Sequence, residues 1–283
     1  ELVLELEQLL KNHLGVKHLF FCANGTTVLQ MALKALDIKK EVITTPFSYV
    51  ATTTAILWEN CMPVFVDINE TDYNINADKI EAAITSNTEA ILTTHVYGNP
   101  CDVEKVEMIA KKHNLKVIYD GAHAFGVSYK DTSLLSYGDI ATCSFHATKL
   151  FHTVEGGAII TNNDEVANKL MLYRQFGHVY DDYYSIGINA KNSEFHAAMG
   201  LAVLPKVPDL IAKRKVITNL YDQKLLPLGL IRPKALVGTV YNFSYYPVVF
   251  RSEALLLNVK NKLAQNKINT RRYFFPSLNE LPY

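Results

Sequence analysis

Lys116-Val117-Ile118-Tyr119-Asp120-Gly121-Ala122-His123 follows directly on a helical stretch, Val103–His113. A short β-rich run that comes straight after a helix and ends in a carboxylate is the building unit of an α/β sheet. The alternation extends both ways. Upstream lie β-rich runs at Glu41–Thr45, Val64–Asp67 and Ala90–Thr94, with a helical stretch at Asp78–Ile84. Downstream come Ile140–Phe145 and Ala158–Thr161. Strands alternating with helices predict an α/β fold, a mostly parallel sheet with helices on both faces. Near the start, Leu29, Ala32, Leu33 and Leu36 mark the apolar face of a helix that follows Asn24-Gly25-Thr26-Thr27. From about Asn192 the texture changes to a long helical region, a strand at Tyr241–Phe250 and a helix at Glu253–Ala264. We therefore expect a large α/β domain over residues 1–205 and a smaller C-terminal α+β domain over 206–283. Leu2, Leu6, Leu9, Leu10 and Leu14 open the chain at helical spacing with no capping residue ahead of them, and Leu281-Pro282-Tyr283 ends it abruptly. Both features lead us to expect a natural chain that extends past each end.

Of the 283 residues 49% are hydrophobic and 20% charged, enough apolar material for a packed core and too much for a disordered chain. Lys plus Arg equals Asp plus Glu at 28 each, so the basic excess of a general nucleic-acid or membrane-surface binder is missing. No uninterrupted apolar run reaches the ~18–20 residues of a bilayer-spanning helix, and the first residues lack the basic region of a signal peptide. Cys22, Cys61, Cys101 and Cys143 form no CxxC pair and no zinc spacing. Reduced thiols and a cytoplasmic location are the expectation.

In an open α/β sheet, ligands gather at the carboxyl ends of the strands, and three segments there bear on chemistry. Asn24-Gly25-Thr26-Thr27 offers free backbone N–H groups and hydroxyls at the start of a helix, which suits a phosphate as well as an ordinary N-cap. Asp120 closes a buried strand, where a carboxylate is costly to ionise unless a cation or donor meets it; a helix-capping role is equally open. Ser144-Phe145-His146-Ala147-Thr148-Lys149 leads into Glu155-Gly156-Gly157-Ala158 and sets a lysine beyond a buried strand. A desolvated amine of this kind has a lowered pKa and forms Schiff bases, whereas most lysines are simply solvated. Together the three segments match the needs of pyridoxal 5′-phosphate: amides and hydroxyls for its phosphate, an anion for its pyridinium nitrogen, an amine for its aldehyde.

At these residues the chain resembles the DegT/DnrJ/StrS family of nucleotide-sugar aminotransferases. The likeness continues through Pro46-Phe47-Ser48-Tyr49-Val50-Ala51-Thr52, Pro63-Val64-Phe65-Val66-Asp67 and His95-Val96-Tyr97-Gly98. It implies the pyridoxal-phosphate-dependent transferase fold of type I, the aspartate-aminotransferase class. It also implies roles. Lys149 would bond covalently to the cofactor and shuttle the proton, and Asp120 would keep the pyridine nitrogen protonated. His123 would lie near the phenolic oxygen, Tyr49 would stack on the ring, and Gly25, Thr26 and Ser144 would bind the phosphate. Asn189, in Gly187-Ile188-Asn189, falls where the family sends an asparagine to the neighbouring subunit's phosphate, implying a homodimer with shared sites. Where many members read Gly-Tyr-Asn-Tyr-Arg-Met, this chain has Gly187-Ile188-Asn189-Ala190-Lys191-Asn192, without the aromatic and the arginine.

The activity so implied is transfer of an amino group from glutamate or glutamine to a nucleotide-linked keto-sugar, in amino-sugar or surface-polysaccharide biosynthesis. The alternatives are a sugar dehydratase of the same family, which carries histidine at the lysine position and is disfavoured by Lys149, and a catalytically silent sensor or regulator on the same fold. His123, His146 and His152 fit no common ligand spacing, so no metal is expected. Tyr180, Tyr183 and Tyr184 suit a sugar contact and an interface equally. Arg271-Arg272-Tyr273 would suit a diphosphate, but a solvated strand end is the simpler reading. Trp58 is expected on the buried face of the helix after Tyr49.

Overall fold

A seven-stranded sheet organises the computed structural model, which describes residues 1–283. In chain order α1 (Leu2–Leu14), β1 (His18–Cys22), α2 (Gly25–Ala35), β2 (Glu41–Thr44), α3 (Val50–Trp58) and β3 (Met62–Phe65) come first. Then follow α4 (Ala77–Ile80), β4 (Thr88–Thr94), α5 (Val103–His113) and β5 (Lys116–Asp120). A small hairpin, β6 (Ser128–Tyr129) and β7 (Thr132–Ser133), precedes β8 (Ile140–Ser144), β9 (Gly157–Thr161) and α6 (Asp164–Arg174). The order across the sheet is β1-β9-β8-β5-β4-β2-β3. From β8 to β3 all neighbours run parallel, while β9 is antiparallel to both β8 and β1. The expected mostly parallel α/β sheet is present, and β1, which the sequence reading passed over, closes its edge.

Both faces of the sheet are covered, which explains why its strands read as continuous apolar runs. Within β5, Val117 and Tyr119 enter a core cluster with Val106 and Ile109 of α5 and Leu6 and Leu10 of α1. Ile118 points the other way, into a cluster with Val28, Leu29 and Leu33 of α2 and Ile56 of α3. The apolar positions of α5, at 103, 106, 109 and 110, give one buried stripe over three turns, while its charged residues face water. Asp102 caps its start by accepting from the Lys105 N–H, and Asn114 ends it in the left-handed conformation.

The remaining elements are β10 (His178–Val179) paired with β11 (Asp182–Tyr183), α7 (Glu194–Val203), α8 (Val207–Leu225), β12 (Thr239–Val240) and α9 (Glu253–Gln265). The position drawn as a domain boundary, 205, falls in the 3-10 turn Leu204–Lys206 between α7 and α8, and the whole run Glu194–Leu228 is helical. By length and composition alone this run is long and apolar enough to cross a membrane. Its apolar sequence is broken by Lys206 and Asp209, and α7 packs on α1: a Cβ at Gly200 would lie 2.7 Å from Leu6 Cδ2.

Three expectations need correction. The Tyr241–Phe250 segment is not a strand. Its only bridge joins Ile231 and Val249, and its aromatic and polar side chains pack against the large sheet's loops rather than on a partner strand. The Asp78–Ile84 helix is one α-turn, α4, continued by a 3-10 turn at Glu81–Ala83. Trp58, at the end of α3, is 73% exposed, because α3 buries Thr52, Thr53, Ala55 and Ile56 instead. All four cysteines are free and buried, and burial pushes the Cys22 and Cys143 thiols up to about 12.

Candidate active site

The carboxyl ends of β4, β5 and β8 open into a cavity of about 440 Å³, lined among others by Thr94, Asp120, Ser144 and Lys149. Ligand pockets of roughly 300–1,000 Å³ at strand ends are the usual site in such sheets. Of the sequence-named residues, Gly25, Thr26, Tyr49, Asp120, His123, Ser144 and Lys149 all line this one cavity.

Its first wall is the start of α2. Asn24 caps the helix by accepting from the Thr27 N–H at 2.9 Å, and the Val28 N–H closes the first turn on Asn24 O. The Gly25 and Thr26 amides precede that turn at the positive end of the helix dipole. Gly25 lies so close to β8 that a Cβ there would come within 2.9 Å of Ser144 Cβ. At Gly157 a Cβ would strike the Asn24 carbonyl at 2.6 Å, so the second glycine of Glu155-Gly156-Gly157 is what lets α2 begin against β9. Gly25 thus meets Ser144 and Gly157, both over a hundred residues further on, in one amide-and-hydroxyl corner.

Asp120 forms the floor. It is 5% exposed; Oδ2 accepts from Thr52 Oγ1 at 2.8 Å and Oδ1 from the Ala122 N–H at 3.1 Å. Thr52 Oγ1 also lies 2.7 Å from Ser48 Oγ, which lies 2.8 Å from Thr94 Oγ1. Each hydroxyl has one proton. Since Thr52 donates to Asp120, Ser48 donates to Thr52 and Thr94 to Ser48, a relay aimed at the carboxylate. Burial raises the Asp120 pKa, while Thr52, the Ala122 amide and Lys149 pull it back down. Burial likewise lowers the Lys149 pKa, against Asp120 and Cys143, which raise it.

His123 is nearly buried, and its Nδ1 accepts from the Tyr97 N–H at 3.1 Å. Burial, with Lys149 adding to it, holds the ring pKa well below its ordinary value, so the imidazole is neutral with its proton on Nε2. Asn242, fully buried, clamps the backbone beneath it by donating both Nδ2 protons, to His123 O at 2.9 Å and Phe125 O at 2.8 Å. Tyr49 stands on the cavity lip at the N-terminus of α3, 58% exposed. Asn189 does not line this cavity; it is exposed beside the β10–β11 hairpin, where its Oδ1 accepts from Lys191 Nζ at 3.0 Å.

Several lining residues had no signal of their own in the sequence. Ser48 and Thr94 are unremarkable hydroxyls until the strand ends bring them together. Tyr245, Arg271, Tyr273 and Phe274 come from the C-terminal part, and Arg271, read as a solvated strand end, stands on the cavity wall.

The profile of the DegT/DnrJ/EryC1/StrS aminotransferase family matches residues 1–283. A dTDP-4-amino-4,6-dideoxy-D-glucose transaminase of Shigella dysenteriae is 43% identical over 278 residues, 96% of this chain and 75% of that protein. A GDP-perosamine synthase of Caulobacter vibrioides is 39% identical, over 80% of this chain and 62% of its own. The crystal structure of DesI with its TDP-sugar product superposes with a TM-score of 0.93 at 32% identity, covering 99% of this chain and 73% of DesI. With that profile across its whole length and relatives of this identity, the chain belongs to the DegT/DnrJ/EryC1/StrS aminotransferase family.

Proposed function

We propose that the protein is a pyridoxal-phosphate-dependent aminotransferase that passes an amino group from glutamate or glutamine to a keto-sugar linked to a nucleoside diphosphate. The observation that carries the reading is the meeting, in one cavity, of the α2 amide end, the buried Asp120 carboxylate and the partly buried Lys149 amine. The relatives named above, which act on dTDP- and GDP-linked sugars by their names, support the substrate class.

The residues present fit the cofactor. The corner that Gly25 leaves against Ser144 offers amide and hydroxyl donors to a phosphate, and Thr26 adds its hydroxyl. Burial raises the Asp120 pKa, and a protonated ring nitrogen beside it would favour the ionised carboxylate. The neutral His123 keeps an Nε2 proton for the phenolic oxygen, and Tyr49 has the position to cover a ring face. When bound, pyridoxal phosphate supplies the electron sink that lets an α-amino group and a carbonyl exchange. The chain supplies the rest. Asp120, oriented by Thr52, would stabilise the positive charge on the ring nitrogen. Lys149 would serve twice, as the amine that holds the cofactor's aldehyde and as the base that moves a proton between the reacting carbons. Its lowered pKa keeps a larger share of it unprotonated near neutrality.

The active unit in this reading is a homodimer with composite sites. Supporting it, the segment 176–195 that carries Asn189 also carries exposed Phe176, Tyr180, Tyr183, Tyr184, Ile186 and Phe195, Tyr180 being 91% and Phe195 89% exposed. Surfaces of this kind mark contacts between chains. The division into residues 1–205 and 206–283, and a cytoplasmic location consistent with four free thiols, belong to the same proposal. The test is to load the protein with pyridoxal phosphate, offer glutamate or glutamine with a panel of nucleotide keto-sugars, and weigh the products. An amino-sugar supports the reading, and loss of water without added nitrogen would indicate the dehydratase instead.

A further inference from the structure

We propose that Arg271 is the anion anchor of this cavity and that it binds the diphosphate of the nucleotide-linked substrate, an inference that rests on the aminotransferase reading above.

Lys149 and Arg271 are the two lysine or arginine side chains that line the cavity. Lys149 faces Asp120. Arg271 has no carboxylate within ion-pair distance and no hydrogen-bond acceptor, although the neighbouring Arg272 has both a 2.8 Å ion pair with Glu253 and the Phe275 ring beneath it. The two arginines of one motif are therefore divided: Arg272 ties the terminal segment to α9, and Arg271 is left with an uncommitted guanidinium. That guanidinium lies 5.2 Å from the Tyr273 ring centre, a cation–π contact that restrains it while leaving its donor fork unused.

The aromatic wall fixes where Arg271 stands relative to the chemistry. His123 packs on Tyr245 at 4.5 Å, Tyr245 meets Tyr273 edge-on at 6.3 Å, and Arg271 follows beyond Tyr273. Arg271 is exposed, whereas Asp120 and His123 are buried. It thus marks the outer rim, separated from His123 by two aromatic rings. An amino-acid donor is short and must place its α-carbon next to the Lys149 amine, which keeps its carboxylate deep. A nucleotide-sugar is long, and with its keto carbon at Lys149 its diphosphate extends outward past the sugar. A planar fork beside apolar ring surface at that rim matches the phosphate oxygens in charge and geometry.

The experiment compares the cofactor-loaded wild-type protein with Arg271→Gln and Arg271→Lys. Calorimetry measures the affinity for dTDP, GDP and UDP, and rapid mixing measures the two half-reactions separately. Loss of one charge-assisted phosphate contact is expected to weaken nucleoside diphosphate binding and raise the KM for the nucleotide keto-sugar by about 10- to 100-fold in Arg271→Gln, with kcat little changed. Arg271→Lys, which keeps the charge without the fork, falls between. The half-reaction with the amino donor alone proceeds at the wild-type rate in both variants, which also shows that they are folded and loaded. Wild-type nucleotide affinity in Arg271→Gln overturns the anchor alone. A selective loss of the donor half-reaction overturns it in favour of a carboxylate-binding role. A wild-type protein that takes amino groups from the donor yet binds none of the three nucleotides overturns the substrate reading and the anchor together.

Discussion

Thr52 Oγ1 donates a 2.8 Å hydrogen bond to Asp120 Oδ2 across 68 residues of sequence, and Ser48 and Thr94 line up behind it. With Asp120 accepting, the relay has a fixed direction, and it favours the ionised carboxylate against a burial that raises its pKa.

Asp120→Asn removes the charge while keeping the shape. Turnover should fall on the order of 10²-fold or more, as for other preorganised charge-stabilising groups, while cofactor still binds. Thr52→Val acts more mildly and through pH. The Thr52 hydrogen bond lowers the Asp120 pKa, so its loss raises that pKa and moves the acid limb of the rate profile to higher pH. Near-normal turnover in Asp120→Asn would reduce Asp120 to a partner of the Ala122 amide.

His95 gives a pH prediction for stability. It is fully buried and stacked on Tyr119 at 4.6 Å, and its Nδ1 accepts from the Cys101 N–H. Burial lowers its pKa to about 3 from an ordinary 6.5. Above 6.5 the ring is neutral in folded and unfolded chains alike, and its contribution is complete. As pH falls from 6.5 towards 3, the unfolded chain takes a proton that the folded one refuses, and stability drops by about 1.4 kcal/mol per unit. Urea unfolding between pH 7 and 4 should show a steep loss in the wild type and a loss shallower by one proton in His95→Gln. Equal slopes would mean that the folded protein accommodates the charged ring.

The composite-site proposal predicts complementation. Lys149→Ala and Asn189→Glu, each nearly inactive, are mixed under conditions that let subunits exchange. A mixed dimer would hold one site with both defects and one with neither, so activity should return to about a quarter of wild type. Demonstrated exchange without recovery would place Asn189 in the service of its own chain.

The parallel strands were legible because a strand covered on both faces is an uninterrupted apolar run with a turn at each end, as in Lys116–Asp120 and Ile140–Ser144. The edge strand β1 was passed over although Gly15, left-handed at the end of α1, marks the break before His18–Cys22, because five residues in a row are a short signal beside a long apolar helix. Tyr241–Phe250 failed for a different reason. Aromatic and β-branched residues suit any half-buried surface, and here that surface is the rim of the cavity, with Asn242 tied to the His123 carbonyl. The glycines at 25 and 157 had a readable type, but only the approach of α2 to β8 and β9 explains why nothing larger fits. Arg271 and Arg272 are identical in the sequence, and only the position of Glu253 separates their tasks.

The central claim is that Lys149 is the amine that engages the cofactor. The direct measurement is borohydride reduction of the pyridoxal-phosphate-loaded protein, followed by mass analysis of its peptides. The account predicts one modified residue, Lys149, and no stable modification in Lys149→Ala, which should still fold because the side chain sits on the cavity wall rather than in either core cluster. Reduction onto another lysine, or unchanged labelling of the variant, would contradict it.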